Sequence, residues 1–220
     1  MITSYDNLTK RPKNVLPLCY SIHSLGKESM GTRNLTKVIK NNKVVVCQYG
    51  QWDGYPSGQG ATVWFAIKKP GQMEGLEANL HLTYEPSDDE RMEMSKPFLD
   101  GSMPGMMTYD SGKAFGEKYP SLTRDTGANI LNVIAEATEP VPLYLDIDFE
   151  NDDLFCEGVY TVNLDNKTFT SKYDGREVRM SFSEVRTGTL ADYLIRFYPD
   201  DPEHVDELVE SIARTNLVTN

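Results

Sequence analysis

Little in this sequence is of the kind that names a chemistry. It holds three cysteines and three histidines in 220 residues. No run of apolar residues approaches the ~18 needed to cross a bilayer; the longest is the seven residues 61–67, with Thr62 inside it. The opening MITSYDNLTKRPK has no hydrophobic signal core, so a cytosolic protein without membrane contact is expected. Cys19, Cys47 and Cys156 are odd in number and far apart, which speaks against a disulfide framework or a zinc motif. Buried structural thiols are expected instead. His23, His81 and His204 are equally scattered, and nothing pairs them with a serine or cysteine as a catalytic triad would. No phosphate-binding loop, nucleophile elbow or metalloprotease motif is present, and neither metal nor cofactor is expected.

What is present begins with acid. The net charge is −11. Through Lys43 there are eight Lys/Arg against two acids, +6, whereas the rest carries fourteen basic and thirty-one acidic residues, −17. A body this acidic repels phosphate backbones, so direct nucleic-acid binding is not expected. Toward a basic partner protein it could instead imitate nucleic acid.

The chain is long enough for a real core, about 70% of its unfolded surface. Residues 1–29 read as a polar extension and 30–220 as one domain. RNLTKVI at 33–39 and KVVVCQY at 43–49 read as strands joined at Asn41-Asn42, since asparagine tolerates the left-handed backbone of a tight hairpin. The second strand is apolar on both faces, which predicts a central position. ATVWFAIKK and QMEGLEANLHL read as helices, and SDDE at 87–90 as a capping box. Residues 97–109 read as loop. In TRDTGANILNVIAEATEP, Ile130, Leu131, Ile134 and Ala137 form a helix face that Pro140 ends. PLYLDIDF alternates like a strand; FCEGVYTVNL, KTFTSKY and REVRMSF follow as strands, turning at Asp165-Asn166 and Asp174-Gly175. A helix with Leu190, Tyr193, Leu194 and Phe197 on one face precedes a last helix. Asp201 would cap that one, with Val205, Leu208, Val209 and Ile212 inward. Strands, helices, strands and helices in that order predict an α+β fold around a mostly antiparallel sheet.

Three motifs offer chemistry. DTG at 125–127 is the triplet of aspartic proteases, but it follows polar SLTR and starts a helix, so Asp125 is expected to be an N-cap. DIDFENDDLFCE at 146–157 spaces its acids like a calcium loop, yet lacks the glycine at position six and an apolar residue at position eight. A solvated acidic turn is expected there. GQGATV begins like a dinucleotide fingerprint but has no third glycine.

The most unusual stretch is YGQWDGYPSGQG at 49–60. Gly50, Gly54, Gly58 and Gly60 allow unusual backbone and close approach. Tyr49, Trp52 and Tyr55 offer stacking faces, and Gln48, Gln51, Asp53 and Gln59 offer hydrogen bonds. Such a set suits a planar polar ligand, a nucleobase or sugar. It equally suits a rigid turn plugging the end of a sheet.

GTRNLTKVIKNNKVVVCQYGQWDGYPSGQG, RDTGANIL and LFCEGVYTVNLDNKTF together resemble a family of uncharacterised proteins of bacteria and their phages, over residues 31–173. The resemblance implies a chain start near Met30-Gly31-Thr32, hence an added segment 1–29, and a site in the cytosol of a bacterial host. Its strand–helix–strand order also suggests layering like that of N-terminal-nucleophile hydrolases, in which Thr32, if exposed as a terminus, would be the nucleophile. The leading expectation is a phage-associated protein that sequesters a small nucleotide-like host signal. Trp52, Tyr49 and Tyr55 would stack, Asp53 and Gln48 would hydrogen-bond, and Arg33 or Arg124 would meet a phosphate. The alternatives are an acidic inhibitor of a host defence protein and an amide hydrolase using Thr32.

Overall fold

The computed structural model describes residues 31–101, 105–152 and 154–218. Strands β1 (Asn34–Lys40) and β2 (Lys43–Gly50) form the expected hairpin. Asn41 and Asn42 both have positive φ, 53° and 56°, the geometry that a two-residue turn between right-twisted strands requires. Asp165 holds this tip from outside, its carboxylate accepting the amides of Asn41 at 2.9 Å and Asn42 at 2.8 Å.

A wide turn at Pro56–Gly60 leads into α1 (Ala61–Lys68), α2 (Gln72–Asn79), the short β3 (Thr83–Tyr84), α3 (Asp88–Ser95), α4 (Tyr109–Lys118), α5 (Ile130–Ala135) and β4 (Val141–Pro142). Then come β5 (Gly158–Asn163), β6 (Thr168–Tyr173), β7 (Arg176–Ser181), α6 (Phe182–Thr187), α7 (Leu190–Leu194) and α8 (Pro202–Val218). The fold is α+β. Its main sheet runs β2-β1-β5-β6-β7, antiparallel except where β5 lies parallel to β1. A second pairing, β3 with β4, spans two residues on each strand. Two large stacked sheets, which the N-terminal-nucleophile layering implies, have no counterpart among the described residues.

One face of the sheet carries the main core. Val38, Val46, Tyr160, Val162, Phe169 and Met180 meet Val63, Ile67, Leu76, Ile130, Ile134 and Tyr193 from the helices. The other face buries Leu35, Cys47 and Val159 under Leu145, Phe149 and Cys156. No described helix is long and apolar enough to cross a membrane.

Several expectations hold. Ser87 and Glu90 form the capping box, and Asp201 caps α8 by accepting the amide of His204 at 3.1 Å. Two readings need correction. β2 is an edge strand, not a central one; the helices bury one of its faces and Leu145 and Phe149 the other, the 143–149 segment lying along the edge through a Cys47–Leu145 bridge. That segment is therefore not a strand beyond Val141–Pro142; Ile147–Asn151 coils into a 3₁₀ turn instead. The loop read at 97–109 ends at Tyr109 in a helix not expected from the sequence, started by Thr108 capping the Ser111 amide at 3.2 Å. Cys19 and the extension 1–29 lie outside the described residues.

Candidate functional site

The stretch after β2 is tied down along its whole length. The Gln51 amide donates to Arg124 O at 2.8 Å and the Gly54 amide to Thr32 O at 2.9 Å. Tyr160 Oη donates to Gly54 O at 2.6 Å. Asn34 Nδ2 reaches three carbonyls, Gly50 at 3.1 Å, Trp52 at 3.2 Å and Thr32 at 3.5 Å. Gln59 folds back across the loop: its amide donates to Asp53 O at 2.8 Å and its Nε2 to Trp52 O at 3.1 Å, while its Oε1 accepts the Ala128 amide at 2.7 Å.

This changes the reading of DTG. Asp125 does not cap the helix after it; Gln59, from another part of the chain, takes the Ala128 amide, and Asp125 Oδ1 accepts Trp52 Nε1 at 2.9 Å. Gly127 turns with φ +46°, and a Cβ there would collide with the Gln59 side chain.

The glycines of the loop serve close approach rather than unusual torsion. The one left-handed residue in it is Asp53, φ 54°. A Cβ on any of Gly50, Gly54, Gly58 or Gly60 would meet neighbouring atoms; on Gly60 it would strike the rings of Tyr160 and Tyr193, which are fully buried beneath. The stretch is a packed brace that closes the end of the sheet.

The brace nevertheless presents aromatic surface. Trp52 and Tyr55 remain 38% and 44% exposed, and Phe155, on the neighbouring turn before β5, 39%. The Arg33 guanidinium lies 4.5 Å over the Phe155 ring. Tyr55 meets Tyr173 edge-on at 5.9 Å, and Tyr198 meets His204 at 5.3 Å. Burial pushes the Tyr173 phenol up to about 12, with Tyr198, Tyr55, Glu157 and Asp174 adding to the shift. Carboxylates therefore stand beside the aromatic rings: Asp125 on Trp52, Glu157 and Asp174 by Tyr173. Sequence reasoning missed Tyr173 and Tyr198, because nothing local in the chain says that they end near Tyr55.

The residues expected to bind a ligand divide into groups. Trp52, Asp53 and Tyr55 are exposed on the brace. Gln48 is buried, its Nε2 donating to Tyr49 O at 3.2 Å and Thr123 O at 3.1 Å. Tyr49 points to the opposite face of the sheet, where its ring meets Phe149 at 5.0 Å and its hydroxyl donates to Gln51 at 2.7 Å. Burial raises its phenol, opposed by the nearby charges of Arg33 and Arg124. The charges of Arg33 and Arg124 thus reach Tyr49, whereas Tyr55 packs against Tyr173. Thr32 is buried, with its carbonyl bound to Gly54.

The acids of 146–157 are spread over separate tasks. Glu150 pairs with Lys37 at 2.6 Å, Asp152 accepts the amides of Leu154 and Phe155, and Glu157 accepts the Arg33 amide at 3.2 Å. Among the described residues no three His, Cys, Asp or Glu side chains gather as a cation site would need. Burial pushes the Cys47 thiol up to about 12 and Cys156 to about 11, which leaves both poor nucleophiles.

A separate concavity of about 500 Å³ lies between α2 and α6, floored by Met73 and Phe182. Its charged rim is satisfied internally: Glu77 pairs with Lys40 and Lys167, and Glu74 with Arg186. Compared with protein-family models, curated proteins and solved structures, the chain matches none.

Proposed function

We propose that this is a binding protein whose contact surface is the aromatic end of the sheet, and that a lysine- or arginine-bearing segment of another protein docks there. The observation that carries the reading is the exposure of Trp52 and Tyr55 on backbone held by its own hydrogen bonds, with Asp125 bonded to Trp52 and with Glu157 and Asp174 near Tyr173, the ring that Tyr55 meets. Aromatic faces attract cations, and tryptophan, tyrosine and arginine dominate binding energy at interfaces. A rigid loop loses little entropy on binding. The net charge of −11 adds long-range attraction for a basic partner and repels phosphate. In the bacterial or phage setting that the sequence resemblance implies, such a surface would fill a host protein's basic groove, in place of nucleic acid.

A nucleotide-like ligand is the second reading, favoured by Arg33 and Arg124 standing close to Tyr49. One titration separates the two. A labelled arginine- and lysine-rich peptide is expected to bind, to weaken as salt rises, and to lose about tenfold or more in affinity with Trp52→Ala. Thermal unfolding of that variant checks that the fold persists. A peptide that does not bind, with nucleotides raising the melting temperature instead, would replace the first reading by the second. Silence in both experiments would remove this surface as a binding site.

A further inference from the structure

Five buried side-chain polar atoms of the described residues lack a partner, Trp64 Nε1 and Thr168 Oγ1 among them, and the other three lie together on the main core face of the β1–β2 hairpin. These three are Asn34 Oδ1, Thr36 Oγ1 and Gln48 Oε1. Asn34 and Thr36 are fully buried and Gln48 is 4% exposed. The strand register puts them together: Thr36 is the cross-strand partner of Gln48, and Asn34 lies one rung away on the same face, opposite Gly50. On the other side Thr36 pairs with Tyr160, whose ring is also fully buried. The turn Gly127–Asn129 packs over β1 and β2 from the helix side.

The orientation of both amides is fixed by their surroundings. Asn34 Nδ2 faces three carbonyls and Gln48 Nε2 faces two, so turning either amide over would set its oxygen against carbonyl oxygens. The two oxygens are therefore the acceptors left over, and the Thr36 hydroxyl is a donor left over. An unpaired buried polar group is costly, and three on adjacent rungs are not accidental neighbours. Two acceptors and one donor match one water molecule, which donates twice and accepts once. Buried waters typically make about three such bonds.

We propose that one long-lived water molecule is bound between β1, β2 and the Gly127–Asn129 turn, donating to Asn34 Oδ1 and Gln48 Oε1 and accepting from Thr36 Oγ1. It joins the two residues that anchor the brace, since Asn34 holds the loop carbonyls and Gln48 holds Thr123. A cation is disfavoured: the site offers no carboxylate, so the ion's charge would be buried without a balancing one.

Thr36→Val tests this by its sign, because valine has nearly the same shape and only the hydroxyl is lost. With the water in place the variant loses a donor to it and melts a few degrees lower. In a dry site the same change removes an unpaired hydroxyl and the melting temperature stays or rises, which overturns the proposal. The second measurement uses the native chain with labelled methyl groups. A nuclear Overhauser signal from long-lived water to the Thr36 methyl is expected, and its absence overturns the proposal even if Thr36→Val fails to fold.

Discussion

At the scale of single residues, Gln59 does the most for the arrangement. Its side chain bridges Trp52 O and the buried Ala128 amide, and its backbone holds Asp53. A helix amide capped from across the chain replaces the local cap that the DTG sequence suggests. Gln59→Leu keeps the size of the side chain but leaves the Ala128 amide unpaired. It should cost about 1–3 kcal/mol, the range for an orphaned buried donor, read as a lower urea midpoint with an unchanged slope. A cost within about 0.5 kcal/mol, the usual range of surface changes, would mean that the bridge is dispensable. Trp52 has a divided role: its indole N–H is committed to Asp125, while its ring stays open to solvent. A residue locked at one end and bare at the other is what a rigid contact surface needs.

At the scale of elements, the exposed edge of β2 shows how the chain protects an unpaired strand. Leu145 bridges to Cys47, the Asp146 amide donates to Cys47 O at 3.1 Å, and the Asp146 carboxylate accepts the Tyr49 amide. That carboxylate pays in burial, which raises its pKa above the ordinary 3.8, opposed by the Tyr49 amide and supported by the charge of Glu85. A carboxyl with a raised folded-state pKa stabilises the fold most at pH below its unfolded value, and the contribution is lost as pH rises through the folded value. At neutral pH the charged group is therefore a burden. Asp146→Asn, which still accepts the Tyr49 amide, should raise the unfolding midpoint at pH 7, and the gain should vanish in acid below about 3.8. An equal gain at both pH values would place the cause elsewhere.

The same edge marks where the sequence stops being legible. Turn residues with a conformational signature reported themselves: Asn41-Asn42 and Asp174-Gly175 sit at hairpin tips with positive φ. So did Ser87–Glu90 and Asp201, whose side chains act on amides three residues away. The alternation in PLYLDIDF is equally clear and misleads, because a chain covering a strand edge and a strand in a sheet both place alternate residues inward. The apolar VVVC run correctly signals burial on both faces but cannot say whether strands or a loop provide it. At the brace, composition showed that the stretch is special; it could not show that its glycines meet Tyr160, Tyr193 and Asn34, residues from elsewhere in the chain.

At the scale of the whole molecule, charge and shape act together. Helices cover one face of the sheet and the 145–156 segment part of the other, and Trp52 and Tyr55 stand exposed at the end where β1 and β5 begin. That end carries the aromatic brace within a strongly acidic molecule. The most direct test of the account is to follow the two tryptophan indoles by ¹H–¹⁵N NMR while a basic peptide is added. Trp52 lies on the proposed surface and Trp64 is buried, 3% exposed, under Lys68 at 4.6 Å. The Trp52 indole signal is expected to move with saturation while Trp64 stays. A peptide that binds with Trp52 unmoved would contradict it, as would a peptide that does not bind at all.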